Sequence, residues 1–451
     1  MNTAALLGPC HPDRALAWQN GHPITYRRFL SEVATLADQL PEKPTVINLA
    51  DDRYRFLVGL AAALVRGQTT LLPPSRAPRA LVQIAREYRN SYCLADGQEA
   101  IEGLPTWHIP HCEWGAAPNA PNAEVPQISV DHTAVVAFTS GSTGSPRPHR
   151  KTWGSLVAVA RSTGARLGLT ASHPMTVVAT VPHQHMYGLE TTIMLPIQHG
   201  MALYAGRPLF PQDVQSALTE VPSPRVLVTT PLHIRACVAA CMPLPQVECI
   251  LSATAPLPVS LAKRAETLFQ SDVYEVYGFT EAGSVATRRT VAGETWHVLD
   301  GITLHQESGR CSLRAPYLPE SISFPDLVSL RGPHRFVLHG RGADVVNIGG
   351  HRVSFSDLNQ KLNEIDGVQD GVFFLPDETG SSVTRLMAFV VAPGNSAEHI
   401  LSALRTVIDP VFLPRPLHVV PTLPRNETGK LTRDALLGLL RELHGQDRHG
   451  T

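Results

Sequence analysis

The sequence predicts an α/β protein with a large N-terminal domain of α/β subdomains and a smaller α+β C-terminal domain. Three observations carry the prediction. Short apolar runs at 45–49, 176–180, 225–229 and 272–276 recur with helical stretches between them, the alternation expected of a sheet covered by helices. The 38 prolines interrupt the chain too often for a long-helix architecture. Beyond a strand read at 335–339 and the glycines Gly340 and Gly342, roughly a hundred residues remain, enough for a domain of their own. The expected boundaries are 1–340, a junction at 341–344, and 345–451.

Residues 45–49 form the first clear strand, and 54–65 carry a helical apolar pattern that stops at Gly67, which makes one β-α unit. A Pro/Asn/Ala stretch at 116–122 reads as an exposed connection. The next strand, 133–138, runs into Thr139-Ser140-Gly141-Ser142-Thr143-Gly144-Ser145-Pro146-Arg147, and an Ala- and Val-rich helix is expected at 153–166. Glycines let a main chain approach an anion, while hydroxyls and backbone N–H groups donate to it. Such a run also suits a plain flexible turn; its setting between a strand and a helix favours a phosphate site. It lacks the Gly-Lys-Ser/Thr ending of a Walker loop. No internal repeat is present.

A chain of 451 residues with 43% hydrophobic content buries a large core, and its length suggests two or three domains. A formal charge of −1 gives no reason to expect a nucleic-acid or anionic-membrane surface. The N-terminal apolar run is too short for a secretion signal, and no stretch is long enough to span a bilayer. The 7 cysteines lack a Cys-x-x-Cys pair and read as small buried hydrophobes of a reducing, cytoplasmic compartment. Among the 20 histidines, His183 and His185 would share one face of an extended segment, but no third ligand accompanies them, so a histidine-bound metal is not expected.

Three further segments follow the Ser/Gly/Thr loop in order: Tyr277-Gly278-Phe279-Thr280-Glu281, then Gly340-Arg341 with Gly349-Gly350-His351-Arg352, then Pro424-Arg425-Asn426-Glu427-Thr428-Gly429-Lys430. Together with the loop they resemble the adenylate-forming enzymes, the superfamily of acyl- and aryl-CoA synthetases, peptide-synthetase adenylation domains, luciferases and acyl-carrier-protein ligases. The resemblance runs from about Ile24-Thr25-Tyr26 to Lys430. It implies that fold, a C-terminal domain that turns about the 341–344 junction, ATP and Mg²⁺ as cofactors, and attack of a carboxylate on the α-phosphate to give an acyl-AMP. Family members usually carry Asp or Lys where this chain has Ala343.

The resemblance also implies site roles. Two anions must meet, so the site needs positive charge and alignment. Lys430 matches the catalytic lysine, Glu281 the magnesium ligand, and Thr280 a donor to the α-phosphate; Tyr277 and Gly278 lie beside the adenine and the acyl group. Thr139, Ser140, Gly141, Ser142, Thr143 and Gly144 wrap the phosphates, with Arg147 in place of the usual lysine and Lys151 beside Arg150 able to substitute. Asp326 and Arg341 match the pair that bonds the ribose, although Phe324-Pro325 replaces the usual Thr-Gly. Ala253, Thr254 and Ala255 occupy the adenine-side loop where two glycines are common. His185, Tyr187 and Gly188 line the acyl pocket, with His185 at its gate, while Gly349 and Gly350 edge the pantetheine tunnel. Read without the resemblance, Lys430 and Glu281 are ordinary surface charges and His185 is equally a hydrogen-bonded core histidine.

The segments Gln184 to Glu190 and Arg352-Val353-Ser354 look like stand-alone ligases of aryl-polyene and xanthomonadin-type pigment pathways, which load a hydroxybenzoate-like acid onto an acyl carrier protein. That resemblance implies an aromatic acid substrate and a carrier-protein acceptor. The alternatives are an aryl- or acyl-CoA synthetase using free CoA, and a nucleotide-binding homologue without turnover.

Overall fold

The computed structural model describes residues 2–74, 76–97, 103–110, 124–139, 147–169, 175–307, 310–341, 345–348, 351–376, 386–426 and 429–446. Thr25 opens the first long helix, Tyr26–Gln39, by accepting a hydrogen bond from the Arg28 N–H at 3.2 Å, and the helix buries Tyr26, Phe29, Val33 and Leu36. Asp52 caps Arg53–Val65 in the same way through the Arg55 N–H at 2.9 Å. This helix follows strand Thr45–Asn48, as the apolar pattern predicts.

Among the described residues two sheets dominate. In the smaller, strands run in the order Arg147–Thr152, Thr133–Thr139, Thr69–Leu72, Thr45–Asn48, Ser91–Ala95, Thr106–His108. The centre of the larger is parallel: Ala202–Tyr204, Thr176–Ala179, Arg225–Thr229, Cys249–Ser252 and Asp272–Phe279 lie side by side. Val178, Leu227, Ile250 and Val273 project from one face onto helices Pro211–Glu220, Pro231–Ala240 and Val259–Phe269, while Val177, Val226, Val228 and Leu251 fill the other. Burial on both faces is why these strands read as continuous apolar runs.

One buried guanidinium joins the two sheets. Arg53, on the helix that covers the smaller sheet, donates from Nη1 to the Tyr204 and Gly206 carbonyls at 2.7 and 2.6 Å, and from Nη2 to the Ala179 and Val181 carbonyls at 3.2 and 3.1 Å. Burial pulls its pKa down to about 10, and the four carbonyls take the place of water.

The C-terminal part is a small α+β unit. A hairpin, Val345–Ile348 with His351–Ser354, precedes a three-stranded sheet of Asp370–Phe374, Met387–Val391 and Leu417–Val419, with helices Phe355–Asn363, Ala397–Leu404 and Arg433–Gln446. Leu358, Leu362, Phe373, Val390, Ile400 and Leu404 form its own core.

Two expectations change. The residues after the Ser/Gly/Thr loop do not enter a helix directly: Arg147–Thr152 is a strand that pairs antiparallel with Thr133–Thr139, and helix Trp153–Arg166 begins only after it. Strand Arg147–Thr152 therefore stands between Thr139 and the helix. Cys93, Cys237 and Cys249 are buried, but Cys241 is exposed at a left-handed helix end, and Cys10 and Cys311 are half-buried. The 116–122 stretch, Cys112 and the 342–344 junction lie outside the described residues. Among the described residues, no helix is long and apolar enough to cross a membrane, and no group of three His, Cys, Asp or Glu stands ready to hold a metal.

Candidate active site

Strand Asp272–Phe279 ends in Tyr277, Gly278 and Phe279, and its return strand is Gly283–Arg289. Thr280 and Glu281 occupy the turn between them, which is closed by the Ala282 N–H on the Phe279 carbonyl at 3.1 Å. The pairing slips between Tyr277 and Gly278. There a Cβ on Gly278 would stand 2.5 Å from the Gly283 carbonyl oxygen, so only glycine lets the strands close.

Two groups hold this turn from behind. Glu190 is buried on the helical turn Leu189–Met194, and its Oε2 accepts from the Ser284 N–H at 2.8 Å and the Ser284 hydroxyl at 2.6 Å. Lys151 reaches from strand Arg147–Thr152 and donates from Nζ to the Glu281 carbonyl at 2.6 Å. Burial raises the Glu190 pKa and lowers that of Lys151; each opposes the other's shift as opposite charges do. Alternate residues on that strand share a face, so Arg147, His149 and Lys151 make a basic row that passes from exposed to buried toward Glu281. His149 Nε2 lies 3.9 Å from Glu281 Oε1, and burial lowers its pKa against the pull of that carboxylate. Lys151, which the sequence suggested as a substitute phosphate contact, here has one of its donors on the Glu281 carbonyl. Arg147 stands exposed opposite Thr139.

Tyr277 is nearly buried, stacked on Phe324 with centroids 6.1 Å apart and planes at 9°, and its hydroxyl donates to Asp326 Oδ2 at 2.5 Å. The Phe324-Pro325 departure therefore supplies a stacking partner for Tyr277. Asp326 begins strand Asp326–Leu330 and sits in register opposite Arg341 on the neighbouring strand. The structure brings Tyr277, Asp326 and the Arg341 backbone together.

Thr254, in the turn after strand Cys249–Ser252, has φ +77°, a conformation costly for a β-branched residue, which accounts for the glycine usual at this place. Its Oγ1 and that of Ser252 are buried without a hydrogen-bond partner. The Lys430 loop comes down here: a Cβ on Gly429 would lie 3.7 Å from Thr230 Oγ1, 3.9 Å from Thr254 Oγ1 and 4.0 Å from Leu232 Cβ. Asn426 closes that loop, accepting from the Lys430 N–H on Oδ1 at 2.9 Å and donating its own N–H to the Lys430 carbonyl at 2.9 Å. Ala253 is buried and Ala255 half-buried beside Thr254.

In the segment that the resemblance assigns to the acyl pocket, His185 caps the turn Met186–Gly188 and is half-buried, whereas His183 is a core histidine, with Nε2 3.0 Å from the Ala50 carbonyl and its ring on Phe56. Burial holds His183 well below the usual imidazole range. The Tyr187 hydroxyl faces the Leu251 and Thr229 carbonyls at 2.9 and 3.3 Å, and burial keeps it un-ionised. Gly188 packs so tightly that a Cβ would meet the Pro182 carbonyl oxygen at 2.0 Å.

Ser140, Gly141, Ser142, Thr143, Gly144, Gly349 and Gly350 fall outside the described residues, as do the side chains of Thr139 and Arg341. Sequence reasoning gave Glu190 and Ser284 no role; the available signal was a lone acid inside the apolar run 189–197, since a buried charge needs a partner.

A family model described as AMP-binding enzyme matches residues 9–307, and one described as AMP-binding enzyme C-terminal domain matches 359–430. The chain is 30% identical over 274 residues, 60% of this chain and 67% of the relative, to a 4-coumarate–CoA ligase of Rhodobacter capsulatus. It is 28% identical over 319 residues, 68% of this chain and 78% of the relative, to a 4-coumarate–CoA ligase of Halorhodospira halophila. The fold matches the anthranilate CoA ligase AuaEII in complex with anthranoyl-AMP with a TM-score of 0.79 at 15% identity, covering 96% of this chain and 95% of that one. It also matches the o-succinylbenzoate CoA synthetase of Bacillus subtilis in complex with ATP and magnesium, with a TM-score of 0.77 at 17% identity over 94% and 96% of the two chains.

Proposed function

Because the chain belongs to the family of AMP-binding enzymes, we propose that it activates an aromatic, hydroxybenzoate-like acid as an acyl adenylate and passes the acyl group to the phosphopantetheine thiol of an acyl carrier protein. The chain is an ATP-dependent, AMP-forming acid–thiol ligase. In the first step a carboxylate oxygen bonds to the α-phosphorus of ATP as pyrophosphate leaves. In the second the thiol sulfur bonds to the acyl carbon, AMP leaves, and the thiol proton is released.

The observation that carries this reading is the seat of the Gly429–Lys430 loop beside Thr230 and Thr254. The loop carries Lys430 next to the turn that would face adenine, and its ammonium, on a flexible stem, would offset charge on both reacting anions. Thr280 would donate to the α-phosphate, and Asp326, steadied by Tyr277, would accept from the ribose. Glu281 is half-exposed, with its carbonyl fixed by Lys151, so its carboxylate has room for waters and phosphate oxygens; that donor set fits Mg²⁺. Magnesium, when bound, neutralises charge on the phosphates.

The aromatic assignment is supported by the names of the relatives, which are 4-coumarate–CoA ligases, and by a segment whose Met186, Tyr187 and His185 suit a compact ring with a polar substituent. Free CoA is the second reading for the acceptor, because those relatives are CoA ligases. The C-terminal region, with 10 Lys and Arg against 12 Asp and Glu over 345–451, has no broadly basic face for the CoA nucleotide or for an acidic carrier. Docking of either would need a local patch, for which Arg352, Arg415, Arg425 and Arg433 are the candidates by sequence position.

An ATP–pyrophosphate exchange panel tests the acid: hydroxybenzoates should support exchange and octanoate should not. Preferential turnover of octanoate or longer acids overturns the aromatic assignment. Thioester yield on holo-carrier against CoA at equal concentration decides the acceptor, and efficient CoA acylation with little carrier loading makes CoA the acceptor.

A further inference from the structure

Asp370, at the start of a C-terminal strand, is shared by two guanidinium groups from distant parts of the chain. Its Oδ2 accepts from Arg425 Nε and its Oδ1 from Arg425 Nη2, both at 2.7 Å, a parallel two-bond fork. Arg235 Nη1, on helix Pro231–Ala240, stands 3.5 Å from the same Oδ1. Arg425 passes the restraint onward, since its Nη1 donates to the Gly429 carbonyl at 2.7 Å, one residue before Lys430. Arg235 and Asp370 side chains are only 24% and 12% exposed, so solvent screens their attraction less than at an open surface.

The route from Arg235 through Asp370 and Arg425 to Gly429 thus fastens the Lys430 loop to the helix whose first residues, with Thr230, lie beneath Gly429. We infer that Arg235 is a positioning residue for the activation step: it holds the 425–430 loop in place while acid meets ATP and takes no part in thioester formation. The two contacts on Asp370 differ in a way that suits this role. Arg425 is held by a fork, Arg235 by one longer contact, so the loop can leave as a body with its own Asp370–Arg425 pair intact.

The inference rests on the ligase reading above. In R235A, acid-dependent ATP–pyrophosphate exchange should fall roughly 10- to 100-fold, the scale of a misplaced catalytic group, while thioester formation from synthetic acyl adenylate is retained. R235K, which keeps the charge, should recover much of the exchange. Equal loss in both half-reactions, or no loss in either, overturns the inference. Amide hydrogen exchange reads the same contact without turnover: the Gly429 and Lys430 amides, which donate to Asn426, should exchange faster in R235A while strand Thr45–Asn48 is unchanged. Unaltered protection at 429–430 also overturns it. Wild-type protein that exchanges pyrophosphate with no acid sinks the ligase reading instead, and hydrogen exchange still decides the bridge.

Discussion

Glu190 accepts both the backbone N–H and the hydroxyl of Ser284, at 2.8 and 2.6 Å, from a position sealed off from water. Through Ser284 it fixes the strand that returns from the Thr280–Glu281 turn, while Lys151 fixes the turn's own carbonyl. Burial is the largest influence on this carboxyl and raises its pKa above the ordinary 4.5; the Ser284 bonds and Lys151 act against the shift.

That direction sets a pH dependence. A carboxyl whose folded-state pKa is raised contributes stability in full below its unfolded value and loses it as pH rises through the folded value. Wild-type stability should therefore carry a component that declines upward from about pH 4.5, and E190Q should lack it. Thermal midpoints of both proteins from pH 4.5 to 8 check this, and parallel curves contradict it.

Gly278→Ala should open the hairpin that carries Thr280 and Glu281, because the new Cβ would meet the Gly283 carbonyl oxygen at 2.5 Å and Ser284 Cα at 2.9 Å. A loss of about 1–3 kcal/mol is expected from such overpacking, with a raised KM for ATP. Urea midpoints and ATP titrations measure the two effects, and a variant with unchanged values for both removes the steric argument.

Thr254→Gly should stabilise the protein by about 1 kcal/mol. It relieves a β-branched residue at φ +77° and removes a buried hydroxyl without a partner, gains that outweigh the extra chain entropy of glycine. A melting temperature below wild type shows that the strain argument is wrong.

Lys430→Ala should depress acyl adenylate formation by about 10²–10³-fold, the scale seen when one preorganised charge is removed from a transition state. Thioester formation from synthetic acyl-AMP should persist. Single-turnover assays of each half-reaction separate the two, and matched losses argue that Lys430 serves both.

Much of the fold follows from local pattern. Strand Arg225–Thr229 and helix Trp153–Arg166 coincide with their predicted spans, since a buried parallel strand and an Ala- and Val-rich helix declare themselves within their own residues. Strand Arg147–Thr152 does not: Arg-Pro-His-Arg-Lys-Thr has no apolar alternation and is extended only because it pairs back on Thr133–Thr139. The site shows the same division. Motif residues such as Tyr277 and Asp326 were legible from the resemblance, and the structure adds the 2.5 Å bond between them. Their supports were not: Glu190 meets Ser284 across 94 positions, and Asp370 meets Arg425 across 55. Separation of that length leaves no trace in sequence spacing.

Arg53 sets a schedule for synthesis. Its four carbonyl partners lie 126 to 153 positions downstream. At about 5–20 residues per second, a ribosome needs roughly 8 to 30 s to deliver the last of them after Arg53 itself emerges. Until then the nascent helix carries a hydrated cation on the surface that will later be sealed. The first hundred residues therefore cannot complete their docking alone, and a translation product halted before Gly206 should remain open to protease at the helix that begins with Arg53.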